Sequence, residues 1–222
     1  MRVFAGIVAL LTLSGGALAT EVAGRIVILE KDNKPSPDLG DAVVYLEGAA
    51  TPATAAAPVT VEIAITDKVY APHVVVVPIG STVRFPNHDP FNHNVFSLSE
   101  PNTFDLGLYG RGEAKSWTFE HPGLVRVYCN VHPRMVAYVL VMANRLYAQP
   151  GQDGSFTIEN VPSGRHRLHV WHERIPTEVV KEVTAGAGGD LQIALNARGY
   201  KWQPHHNKYG RNYPTNAGRE RY

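Results

Sequence analysis

The 222 residues carry 21 Lys/Arg against 20 Asp/Glu, one cysteine and 44% hydrophobic residues. That length suffices for one large domain or two small ones. A single cysteine excludes an internal disulfide framework, and the near-neutral balance excludes the basic domain expected of a nucleic-acid binder.

The chain opens with Arg2, an apolar run over 3–13 and the small-residue site Ala17-Leu18-Ala19. These features predict a secretory signal peptide over 1–19. The run is short for a membrane span, although a retained N-terminal anchor is the alternative. No other segment reads as a span, so the mature protein is expected to be exported, periplasmic and free of membrane helices. Cleavage after Ala19 removes Arg2 and leaves 20 basic and 20 acidic residues. They are unevenly placed. Residues 198–222 hold six Lys/Arg and one acid, Glu220, whereas 20–197 hold 14 basic and 19 acidic residues.

Residues 24–30 and 41–46 read as short β-strands separated by turn residues Asp32, Asn33, Pro35 and Pro37. The Ala/Thr/Pro-rich stretch 48–58 reads as a linker. From Val59 the texture is all strand. Val61, Ile63 and Ile65 alternate with polar or small residues; 73–78 is nearly all valine; Gly80-Ser81 turns the chain into 82–85; 115–119 is a further strand. Pro122-Gly123 then turns into 124–129, where alternation puts Val125, Val127 and Cys129 on one face. Ala137, Val139 and Val141 continue an apolar face beyond. No stretch has a sustained helical period.

The sole cysteine is followed by His132 and then Met135 at intervals of three, on one tight loop between β-like runs. An unpaired cysteine in an exported protein is an intermolecular bridge, an inert thiol or a metal ligand, and the nearby histidine favours the ligand. Thiolate, imidazole and thioether together suit copper, whose blue sites have a trigonal His₂Cys set and a weak axial Met. The second histidine must come from elsewhere. His93 and His88 compete for that place.

Cys129-x-x-His132-x-x-Met135 with upstream His93-Asn94-Val95 resembles the cupredoxins of the plastocyanin and amicyanin type, over roughly residues 60–142. The short spacing from His132 to Met135 is closest to amicyanin. Phe85, Asn87 and Asp89 also match the family's stretch before its first ligand. The resemblance implies a Greek-key β-sandwich holding one copper ion, Cu⁺ or Cu²⁺, on His93, Cys129, His132 and Met135. It favours His93 over His88, because in the family the following Asn links the two ligand loops. It also implies that His132 lies near the surface and passes the electron, with Pro133 in an apolar docking rim. Val125 departs from the family, which often has an aromatic there.

Beyond Asn144, residues 153–170 resemble the D-G-x-F-x-I-x-x-V-P-x-G-x-x-x-L-x-V pattern of carboxypeptidase-regulatory-like (transthyretin-like) sandwiches, with His166 departing at one aromatic position. Gly24-x-x-Val27 and Ala42-x-Val44-x-Leu46 resemble that family's opening. The expected architecture is therefore all-β. A cupredoxin domain over 59–143 is inserted in a smaller, discontinuous sandwich made of 21–50 and 145–197, followed by a basic, Tyr-rich tail over 198–222 that is loose or draped on the surface. In the simpler alternative, the first two strands belong to the cupredoxin. His166 with His172, and His205 with His206, are weak candidates for a second metal.

The function these resemblances imply is single-electron transport by a type 1 copper protein that is not an enzyme. Its partner is expected to be a redox protein such as a c-type cytochrome or a periplasmic oxidoreductase. The rivals are a copper carrier, store or sensor using the same ligands, and an adhesion scaffold in which the ligands are incidental. A multicopper enzyme is disfavoured by the lack of HxH or HCH motifs.

Overall fold

The computed structural model describes residues 20–213 except 32, 33, 35, 49, 50, 52, 53 and 188–190. The expected signal peptide and the tail beyond Tyr213 lie outside the described residues. Seventeen strands follow in order: β1 Thr20–Leu29, β2 Val43–Leu46, β3 Thr60–Glu62, β4 Ala64–Thr66, β5 Val69–Ala71, β6 Val74–Pro78, β7 Ser81–Pro86, β8 His93–Ser97, β9 Phe104–Tyr109, β10 Ala114–Phe119, β11 Gly123–Tyr128, β12 Val136–Met142, β13 Tyr147–Ala148, β14 Ser155–Val161, β15 Arg165–Trp171, β16 Val179–Thr184 and β17 Leu191–Asn196. The one helical element among the described residues is a 3₁₀ turn, Leu39–Asp41.

The chain is all-β and builds two sandwiches. In one, the sheet β10-β7-β3 faces the sheet β6-β12-β11-β8-β9, with the ribbon β4-β5 at its side. Its core contains Ile63, Phe85, Val95, Phe119, Val125, Val127, Cys129, Met135 and Val139. In the other, β14-β1-β17 faces β13-β2-β15-β16 around Ile26, Val44, Leu46, Ile158, Leu168 and Leu195. β1 pairs antiparallel with β14 and parallel with β17, and β2 pairs with β13 and β15. The chain thus starts one sandwich, leaves to build the other and returns.

The valine-rich runs have a physical reason. A strand with one wet face alternates, whereas one buried on both faces is apolar throughout. Along β6, Val75 and Val77 enter the core of the first sandwich while Val74 and Val76 join a third cluster with Val43, Leu140, Met142 and Trp171. β12 divides likewise: Ala137, Val139 and Val141 go inward, and Tyr138, Leu140 and Met142 go to the third cluster. That cluster joins the two sandwiches. Each fully buried aliphatic side chain there contributes about 1.5–3 kcal/mol. His73 and Glu173 add an ion pair of 3.0 Å across the same junction.

Turn chemistry fixes the second sandwich. Gly154 has φ +81°, and a Cβ there would lie 2.2 Å from the Ile26 carbonyl oxygen. Only glycine fits, and the Gly154 carbonyl accepts the Ile26 N–H at 2.9 Å. The linker is anchored where described: the Thr54 carbonyl accepts the Arg145 N–H, and Asn144 donates to the Gly48 carbonyl.

Candidate metal centre

The first candidate ligand, His93, begins β8, directly after the turn from β7. Asn87 organises that turn. Its amide donates to the carbonyls of Phe91 (3.0 Å) and Tyr109 (3.2 Å), and its oxygen accepts the Asp89 N–H at 3.0 Å, a local side-chain-to-backbone turn. Asp89 is thereby aimed inward. Its carboxylate accepts the N–H groups of Asp67 (2.7 Å) and Lys68 (2.9 Å) from the tip of the β4–β5 hairpin. It then meets His93 Nε2 at 2.7 Å.

This arrangement decides the state of the His93 ring. Burial holds the His93 pKa below its ordinary value despite the pull of Asp89. Burial raises the Asp89 pKa, but bonds from Lys68, His93 and Asp67 outweigh it and the net shift is downward. A neutral imidazole donating Nε2–H to an ionised carboxylate keeps its lone pair on Nδ1. A carboxylate on the outer nitrogen is the usual way a metal-binding histidine is oriented.

Nδ1 of His93 faces two other donors. Cys129 follows β11 at its end, is fully buried, and places Sγ 3.7 Å from His93 Nδ1 and 3.7 Å from His132 Nδ1. The two Nδ1 atoms are 3.1 Å apart. Burial pushes the Cys129 thiol up, against backbone N–H groups of Asn94, Val131 and His132 that favour the thiolate. The ligand loop is closed by bonds from Met135 N–H to the His132 carbonyl (3.0 Å) and from Cys129 N–H to the Met135 carbonyl (3.3 Å). Met135 is buried in the same core cluster as Cys129.

The donor triangle fits a metal. A point equidistant from its three corners lies about 2.0 Å from each, against about 2.0–2.1 Å for a metal–imidazole and about 2.3 Å for a metal–thiolate bond. Imidazole with thiolate suits a soft or borderline transition metal, copper among them. Phe91 packs against both imidazoles, with ring centroids 5.3 and 5.9 Å from those of His93 and His132.

Among the described residues, His93, Cys129 and His132 form the one group of three or more His, Cys, Asp or Glu donors within 4.8 Å of one another. His88 is exposed and stands outside it. His166 bonds the Pro162 carbonyl, and fully buried His172 is engaged by Asp38 and Arg174, so neither joins a metal cluster. Asp89 and Phe91 are components of the site that ligand spacing does not reveal.

The tail residues from Tyr200 to Tyr213 lie against this loop. The Tyr213 hydroxyl donates to the Cys129 carbonyl at 3.0 Å, the Lys208 N–H donates to Asn130 Oδ1 at 2.9 Å, and the His205 ring stacks on Tyr128 at 4.1 Å. Pro133, expected in an apolar docking rim, is buried.

The site is a His–Cys–His centre at one end of a β-sandwich. No protein-family profile and no curated protein sequence matches the chain. Solved structures similar to part of it are cupredoxins and a copper enzyme. A purple cupredoxin from Nitrosopumilus maritimus is 27% identical over 36% of this chain and 98% of its own, with a TM-score of 0.33. A point mutant of amicyanin in its reduced state is 26% identical over 37% of this chain and 82% of its own, with a TM-score of 0.35. A copper-containing nitrite reductase from Thermus scotoductus is 25% identical over 53% of this chain and 28% of its own, with a TM-score of 0.36.

Proposed function

We propose that the protein is an exported, periplasmic type 1 copper protein that carries single electrons between redox proteins, such as a c-type cytochrome and a periplasmic oxidoreductase, and that it is not an enzyme. The observation that carries this reading is the triangle of His93 Nδ1, Cys129 Sγ and His132 Nδ1, with edges of 3.1, 3.7 and 3.7 Å. His93, Cys129 and His132, with buried Met135 as a fourth donor, would hold one copper ion. The ion, when bound, supplies the Cu⁺/Cu²⁺ couple.

The chain's task is to keep one geometry through both oxidation states. Asp89 holds the His93 ring through Nε2, backbone N–H groups support the Cys129 sulfur, and the closed 129–135 loop fixes His132 relative to Cys129. Phe91 packs on both imidazoles. Rigid donors reduce the rearrangement that accompanies each electron transfer.

Adding Cu(II) to the mature protein is expected to give an intense blue to purple thiolate-to-copper absorption band and a copper EPR signal with narrow hyperfine splitting. A colourless complex would overturn the type 1 assignment. A coloured complex that does not cycle reversibly by voltammetry would turn the reading to copper storage or delivery.

A further inference from the structure

The geometry points to the C-terminal strap, residues 200–213, as the surface through which this protein meets its redox partner, and to a partner whose docking face is acidic. This inference rests on the copper electron-transfer reading and goes beyond it. It assigns the docking surface to a tail outside both sandwiches rather than to a bare ligand-loop rim.

The strap is fastened to both ligand-bearing segments. Tyr213 bonds the carbonyl of Cys129 itself. Lys208 bonds Asn130 through its backbone and Asp105 through Nζ at 2.7 Å. Asp105 in turn accepts from Asn94, the neighbour of His93, at 2.7 Å. His205 lies flat on Tyr128 and meets Tyr213 edge-on at 5.3 Å. Arg134, inside the ligand loop, covers the Trp202 ring at 5.4 Å. A partner approaching this side of the loop meets the strap first. The bond from Cys129 to Tyr213 gives it a short path from the sulfur ligand.

The exposed chemistry of the strap defines the partner. Trp202 is 45% exposed, Tyr209 72% and adjoining Val131 41%. Arg134, Lys201 and Arg211 are exposed around them. No Asp or Glu occurs between 198 and 213, although 20–197 carry 19 acids against 14 bases. Aromatic groups ringed by arginine and lysine suit a protein face bearing carboxylates, and such charge complementarity governs association rate.

The test reads electron exit with charged inorganic probes. Copper-loaded, reduced protein is oxidised by hexacyanoferrate(III), one electron passing from each Cu(I) to one Fe(III), or by cationic tris(phenanthroline)cobalt(III). Stopped-flow rates are taken across ionic strength. For the wild type, the hexacyanoferrate(III) rate is expected to fall with salt. In Arg134→Glu/Lys201→Glu/Arg211→Glu it should drop about tenfold at low salt, with the salt dependence reversed and the cobalt rate raised. A control with the same charge change on the other sandwich, Arg165→Glu/Arg167→Glu/Lys181→Glu, should stay within about twofold of wild type by the same screening argument. Equal effects of the two triple variants, or none from the first, would overturn the strap as the exit. Absence of the copper band would instead overturn the electron-transfer reading, before any rate is measured.

Discussion

Each sandwich buries one histidine completely, and the two differ in what their second nitrogen meets. His172, in the second sandwich, has both nitrogens occupied by the protein. Nε2 lies 3.3 Å from the Asp38 carbonyl and 3.5 Å from its carboxylate, and Nδ1 accepts the Arg174 N–H at 3.2 Å. Asp38 is engaged in turn by Ser36 and Arg174, and Arg174 by Glu30 at 2.6 Å. His93 also has one nitrogen on a carboxylate, but its other faces a thiol and a second imidazole. Burial lowers the pKa of both rings. Burial and a carboxylate partner therefore do not mark a ligand. What sets His93 apart is a ring nitrogen turned toward two further donor atoms, Cys129 Sγ and His132 Nδ1.

The strongest way to break the comparison is to remove the shared donor. Cys129→Ser should abolish the thiolate-to-copper absorption and the narrow EPR splitting entirely while the fold is kept. An intense band surviving in this variant would place the copper elsewhere. His172→Ala should do the reverse. It strands Asp38 and Arg174 in a closed network and opens a void, so the copper spectrum should persist while unfolding free energy falls by about 2–4 kcal/mol. Urea denaturation of the apoprotein checks the cost. A loss of copper in this variant would show that the two sandwiches are coupled.

Much of the His–Cys–His cluster was legible because two of its donors are close in sequence. Cys129, His132 and Met135 fall on one short loop, and Asn94 singled out His93 from exposed His88. The strands were readable where alternation was clean, as in β11. Elsewhere tertiary contacts prevailed. Residues 61–65 read as one alternating strand, but the chain breaks at Ile63, whose N–H bonds the Arg84 carbonyl before the chain passes into the β4–β5 ribbon. The sequence does not announce β9, within which Gly107 sits at φ +69° and the pairing with β8 shifts register. The strap left no periodic signal because single hydrogen bonds and ring stacks hold it, not an apolar face. Nor does spacing show that Asp89 reaches His93, a contact that depends on the Asn87 turn.

Two smaller effects sharpen the contrast between holding a metal and holding a fold. Met135→Leu conserves volume in the core and should cost less than about 1.5 kcal/mol. Loss of a weak donor to Cu(II) should raise the reduction potential measured by voltammetry while the coloured site persists. An unchanged potential would make Met135 a core residue alone.

The smallest expected effect lies at the junction. Burial disfavours charged His73, but Glu173 and Asp41 outweigh it and raise its pKa above 6.5. Glu173 is likewise disfavoured by burial, yet His73 brings its pKa below 4.5. The raised histidine contributes stability that is fully present below its unfolded pKa and lost as pH rises through the folded value. The lowered glutamate contributes stability present above its unfolded pKa and lost as pH falls through the folded one. The pair therefore helps most between these limits. His73→Gln should cost about 0.5–1 kcal/mol near pH 6, and the gap from wild type should close toward pH 9. Urea midpoints of the two apoproteins at several pH values measure that gap. A gap constant with pH would mean that His73 serves the junction by packing on Tyr138, 5.3 Å away ring to ring, rather than by charge.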